Sequence, residues 1–126
     1  MAKILFVDDD ALTLQLMERL AGFLGHQALL TSSPENGLKI AEESQPDLIL
    51  VDMLMQSMSG LVFVEKLRSL PALKSIPVLV LSAGTSWQDP ELANKAGANG
   101  YLSKPLSIDD LETALKKYVP GVKPQA

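Results

Sequence analysis

A three-layer, doubly wound α/β domain is what this sequence predicts, and two observations carry the expectation. Short apolar runs alternate with amphipathic stretches along the chain, the pattern of successive strand–helix units feeding a parallel sheet. The runs of three or more residues are continuously apolar instead of alternating, as expected of strands covered by helices on both faces.

The first run is Ile4 to Val7. Leu12, Leu16, Leu20 and Leu24 then recur four residues apart, with Met17 and Phe23 widening the stripe. This predicts a helix that ends near Gly25 and lays that apolar face on the sheet. After a second strand, Ala28 to Leu30, the pair Ser33-Pro34 supplies an N-cap and a first-turn proline for a helix through Leu38 and Ile40 to about Glu43. Leu48 to Val51 is the third strand. The helix from Gly60 to Leu70 carries Leu61, Phe63, Val64, Leu67 and Leu70, and Pro71 stops it. Val78 to Leu81 is the fourth strand. Asp89-Pro90 repeats the capping signal before a helix over Leu92 to Ala96, which Gly97 ends. A short fifth strand, Tyr101-Leu102, leads to Ser107, which opens a last helix lined by Ile108, Leu111, Leu115 and Val119. Asp109 and Asp110 suit its positive N-terminal dipole. Pro120-Gly121 closes a domain expected over residues 1–120, leaving 121–126 as a C-terminal tail or linker stub.

A chain of 126 residues with 47% hydrophobic content suits one domain with its own core. Eleven basic and fifteen acidic side chains leave a net charge of -4, so no electrostatic attraction draws it to nucleic acid or anionic lipid. Proteins and small ions are the expected partners. With no cysteine, disulfides, zinc–thiolate sites and thiol nucleophiles are excluded. Asp8 interrupts the N-terminal apolar run before a signal peptide could form, and no later stretch could span a membrane, so a cytoplasmic location is expected.

In a doubly wound fold ligands bind beyond the C-terminal strand ends, where strand order reverses. Polar residues cluster there: Asp8 and Asp9 after strand one, Asp52 after strand three, Ser82 after strand four and Lys104 beyond strand five. Two carboxylates about 4 Å apart repel by about 4 kcal/mol at an effective dielectric of roughly 20, so three in one pocket call for protonation or a cation. A hard divalent ion is the simpler answer. All-oxygen ligation points to magnesium, calcium or manganese, and few carboxylates with retained waters is the magnesium habit. The Lys104 ammonium and Ser82 hydroxyl would neutralise phosphoryl oxygens, and a carboxylate nucleophile would form an acyl phosphate.

Val7-Asp8-Asp9, Asp52, Ser82-Ala83 and Ala98-Asn99-Gly100-Tyr101-Leu102-Ser103-Lys104-Pro105 together resemble the motifs of response-regulator receiver domains (CheY-like) of two-component signalling. The resemblance covers essentially the whole chain, and its specificity lies in order and spacing: thirty residues from Asp52 to Ser82, twenty-two more to Lys104. It implies a flavodoxin-like (βα)5 sandwich with parallel sheet order 2-1-3-4-5. Asp52 would be the phosphorylation site, with magnesium bound by Asp9 and Asp52, Asp8 helping through water and the Leu54 carbonyl completing the protein ligands. Lys104 would pair with the phosphoryl group, Lys104-Pro105 would be cis, and Ser82 and Tyr101 would move on phosphorylation, remodelling the surface of the fourth helix, fifth strand and fifth helix. The implied partners are a histidine kinase or phosphotransfer protein and a downstream protein or output domain. No direct nucleic-acid or membrane contact is implied.

Two positions differ from the family habit: Gln56 replaces the usual proline after the phosphoacceptor, and Ser82 replaces threonine. Gly84 would leave the pocket mouth open to water, giving an acyl phosphate of unexceptional lifetime. Two alternatives set against the receiver are a haloacid-dehalogenase-like phosphatase with Asp8 as nucleophile and a receiver that only binds proteins. Met53, Met55 and Met58 read as gap-fillers or a partner surface, His26 as solvent-facing, and Trp87 as packing or a partner contact.

Overall fold

The computed structural model describes residues 2–82 and 94–119. Five strands, β1 (Lys3–Val7), β2 (Gln27–Thr31), β3 (Leu48–Asp52), β4 (Val78–Ser82) and β5 (Gly100–Ser103), form one parallel sheet in the order β2-β1-β3-β4-β5. Between them lie α1 (Ala11–Phe23), α2 (Pro34–Ser44) and α3 (Gly60–Ser69), and a C-terminal helix (Ile108–Tyr118) follows β5. Residues 94–96 are helical and end at Gly97, whose φ of 107° is open to glycine at no steric cost. The predicted Asp89-Pro90 start and the closing Pro120-Gly121 lie outside the described residues, as do Ala83, Gly84, Leu92 and Trp87.

The unbroken apolar runs are explained by the two cores they serve. Ile4, Phe6, Leu48, Leu50, Leu79 and Leu81 face a cluster shared with α1 and the C-terminal helix. Their alternates Leu5, Val7, Ile49, Val51, Val78 and Val80 face a second cluster shared with α2 and α3. Successive side chains point to opposite faces, so a strand buried on both needs an apolar residue at every position. Met53 is buried, and Met55 and Met58 pack against the second cluster, so all three fill gaps.

Caps set the helix starts. Ser33 accepts from the Asn36 amide, Ser59 from Val62, and Ser107 forms a capping box with Asp110. Pro71 ends α3 and opens a 3-10 turn, Pro71–Leu73.

Two sequence expectations are corrected. In α1 the face on the sheet is Leu14, Met17, Ala21 and Leu24, whereas Leu12 and Phe23 are 75% and 80% exposed and Leu16 is also exposed. Each four-residue step overshoots a helical turn by about 40°, so leucines spaced by four rotate by about 120° from Leu12 to Leu24 and cannot share one face. Leu24 is buried and Leu20 packs partly against the core, while Leu12 and Leu16 stay outside it.

His26 is the second correction: it is buried, and its Nδ1 accepts from the Ala2 amide at 2.9 Å. Burial lowers its pKa below the ordinary 6.5, against an opposing pull from Asp47. The unfolded chain therefore takes up this proton first as pH falls through about 6.5, and stability drops until the folded pKa is passed. His26→Asn keeps an acceptor at the δ position without the titration. Thermal melts from pH 7.5 to 5 should fall more steeply for the wild type than for His26→Asn; parallel curves would refute the assignment.

Candidate functional site

Sheet register brings the predicted residues together. Val7 pairs with Val51, so the residues that follow, Asp8 and Asp52, are neighbours at the β1/β3 crevice where strand order reverses. Ser82 pairs with Ser103, placing Lys104 one step beyond, where its amide donates to the Ser82 carbonyl at 2.7 Å. Asp52 and Ser82 are the last residues of their strands, each of which runs one position beyond its apolar run.

Asp8, Asp9 and Asp52 each offer a carboxylate oxygen within 4.8 Å of the other two. Asp8 and Asp52 are buried and Asp9 is exposed, so the cluster opens to solvent on one side. Lys104 Nζ lies 2.7 Å from Asp8 Oδ2 and 3.2 Å from Asp52 Oδ1. One ammonium faces three carboxylates, which leaves the site an excess of negative charge and an all-oxygen donor set, both suited to a hard divalent cation.

The titration behaviour follows. Burial, reinforced by the Asp8 charge, holds the Asp52 carboxyl above its ordinary pKa, while Lys104 pulls it back. Burial alone would lower Lys104, but its hydrogen bond to Asp8 and the charges of Asp52 and Asp8 outweigh this and raise it. Both Asp8 oxygens are engaged, Oδ2 by Lys104 and Oδ1 by the Asp10 amide at 2.9 Å. That makes Asp8 an anchor for the lysine and a poor nucleophile. Asp10 sits at the N-cap position of α1, and the Thr13 hydroxyl donating to it holds its carboxyl below the usual range.

Around this centre, the Leu54 amide leans toward Asp52 Oδ1 at 3.4 Å and the Leu54 side chain is exposed. Tyr101 is 40% exposed on the edge strand β5, and the Lys104-Pro105 peptide is cis. Two contributors were not legible as functional in the sequence. A Cβ on Gly60 would come within 2.5 Å of the Asp52 carbonyl oxygen, so only glycine lets α3 start against the backbone of the strand end that carries the aspartate. The other is the Gln56 amide, which donates to Asp9 Oδ2 at 3.0 Å.

This fold, with acidic residues at the switch point and a lysine across from them, defines a signalling receiver, and the comparisons agree. Residues 4–116 match the response regulator receiver domain model, and the chain belongs to that family. It is 31% identical over 116 residues to the polar-differentiation response regulator DivK of Brucella ovis, covering 92% of this chain and 94% of the relative. Among solved structures, the Vibrio cholerae chemotaxis protein CheY4 superposes with a TM-score of 0.87 at 29% identity, over 94% of this chain and 98% of that one. The receiver domain of a Pseudomonas aeruginosa sensor histidine kinase, described with a magnesium ion coordinated in its active site cleft, gives 0.85 at 25% identity over 94% and 97%. The chain is thus a receiver domain of two-component response regulators, and neither the comparisons nor the tethered Asp8 carboxylate supports the phosphatase alternative. Among the described residues no helix is long and apolar enough to cross a membrane.

Proposed function

We propose that Asp52 accepts a phosphoryl group from a histidine kinase or phosphotransfer protein in the cytoplasm, and that the result is read by a downstream protein or output domain. The observation that carries this reading is Lys104 set between Asp8 and Asp52 at the mouth of a three-carboxylate cluster. Asp52 Oδ forms the new bond to phosphorus as the donor's bond to phosphorus breaks and the leaving group departs with its electron pair. Lys104 then exchanges part of its contact with Asp52 for a phosphoryl oxygen, and the Ser82 hydroxyl, at the end of the adjacent strand, donates to another. Asp9 and Asp52, with Asp8 and the Leu54 carbonyl in support, would hold Mg2+, which supplies charge neutralisation at the phosphoryl oxygens when bound. The receiver unit is taken as residues 1–120.

The donor's approach is marked by α1. Leu12 and Leu16 are exposed apolar residues of this helix, and Leu16 lines a groove of about 290 Å³ together with Met17, Lys104, Pro105 and Leu106, which supports an approach from this side. Phosphorylation-driven movement of Ser82 and Tyr101 would alter the β5 surface; such a switch shifts only by its differential stabilisation of the active form.

Incubation with acetyl phosphate and MgCl2 should add one phosphoryl group by intact mass, mapped to the Asp52 peptide, and Asp52→Asn should abolish it. Labelling of Asp8 with steady phosphate release would instead establish a phosphatase; unchanged labelling of Asp52→Asn would move the nucleophile elsewhere.

A further inference from the structure

The geometry points to the backbone amide of Gln56 as a positioning donor for the metal-binding carboxylate of Asp9. This rests on the reading of Asp9 as a cation ligand and adds a residue to it. Gln56 N donates to Asp9 Oδ2 at 3.0 Å across 47 positions of sequence, joining the β3–α3 loop to the end of β1. The bond lies on the wall of an open cavity of about 310 Å³ between that loop and Ser32, Ser33 and Glu35.

Asp9 needs such a donor more than its neighbours do. Asp8 is buried with both oxygens held, and Asp52 is buried beside Lys104. The Asp9 side chain is exposed and faces two like charges, so repulsion favours rotamers that swing it into solvent, away from the cluster. An N–H on one oxygen opposes that rotation. It uses one of about four lone-pair sites on the carboxylate, leaving the rest for a cation. Outer donors of this kind fix ligand orientation, and their loss typically weakens metal binding by about 10- to 100-fold. The donor is main chain, so side-chain identity at position 56 matters little, with one exception: proline, which has no N–H.

The test is Mg2+ titration by calorimetry on wild type, Gln56→Pro, Gln56→Ala and Asp9→Asn, without any phosphodonor. Gln56→Pro should raise the Kd by on the order of tenfold, while Gln56→Ala stays within about twofold of wild type. Should Gln56→Pro fold poorly in metal-free melts, the wild-type amide decides: its Gln56 N–H resonance should lie downfield and move upfield in Asp9→Ala. An unchanged Kd in Gln56→Pro, equal weakening in Gln56→Ala, or a Gln56 resonance indifferent to Asp9 would overturn the inference. If wild type binds no Mg2+, or Asp9→Asn binds it as well as wild type, the metal reading itself fails, a result distinct from the others.

Discussion

Arg68→Ala should cost on the order of 3 kcal/mol of stability, about 10 °C in Tm, while leaving phosphorylation by acetyl phosphate at 20 °C close to wild type. The Arg68 guanidinium donates from Nε to the Gly97 carbonyl, from one terminal nitrogen to the carbonyls of Leu73, Lys74 and Ile76, and from the other to Asn99 Oδ1. Asn99 in turn accepts the Val78 amide on the same oxygen, gives its own amide to the Val78 carbonyl, and receives the Tyr118 hydroxyl on its carbonyl. One side chain thus ties the end of α3 to the starts of β4 and β5 and to the C-terminal helix. Burial lowers its pKa, but guanidinium stays charged in proteins, and the carbonyls around it supply the compensating dipoles. Truncation would strand several carbonyls, each costing roughly 1–3 kcal/mol if left dry, less what water recovers at the exposed ones. Arg68→Lys should recover only part, because a single ammonium cannot span the fork. These contacts lie at the end of the sheet opposite Asp52, so stability and labelling separate. A loss under about 0.5 kcal/mol by urea unfolding, or a labelling defect as large as that of Asp52→Asn, would contradict this.

That hub shows where reading the sequence stops. Asp8, Asp9, Asp52, Ser82 and Lys104 were legible because each polar residue interrupts or follows an apolar run, and topology alone sends the C-terminal strand ends to one edge. The sheet order followed from the family motifs, and the strands were placed within one or two residues at each end. Arg68 gave no such sign: a basic residue in the last turn of a helix suits its dipole whatever else it does. The burial of His26 has no sign in the sequence because its partner, the Ala2 amide, is a backbone group with no signature of its own. Gly60 and the Gln56 amide escaped for the same reason, one defined by a close approach and the other by a main-chain hydrogen. In α1 the ambiguity is compositional. Apolar residues occur almost all round the helix, so periodicity could not choose a face, and packing chose the one containing Met17 and Ala21.

In metal-free buffer at pH 7, Lys104→Met should lose about 3 kcal/mol, and Mg2+ should return much of it. Removing the ammonium leaves Asp8, fully buried, and Asp52, nearly so, facing each other without a counter-charge. Asp52 is already held high by burial and by Asp8, and Lys104 is the main group that lowers it, ahead of the Leu54 amide. In the variant its folded pKa rises further. Between the unfolded value near 3.8 and that raised value the folded state binds more protons than the unfolded state, so stability falls as pH rises through the window. The gap between wild type and variant should therefore be widest near neutrality and narrow toward acid. A divalent ion replaces the missing charge, so Mg2+ should raise the Tm of Lys104→Met more than that of wild type. Phosphorylation by acetyl phosphate should still drop, on the order of a hundredfold, because the cation proposed to pair with the phosphoryl oxygens is gone. Equal stability of the two proteins in EDTA, or a gap that ignores both pH and Mg2+, would mean that charge crowding at this strand edge is not what Lys104 relieves.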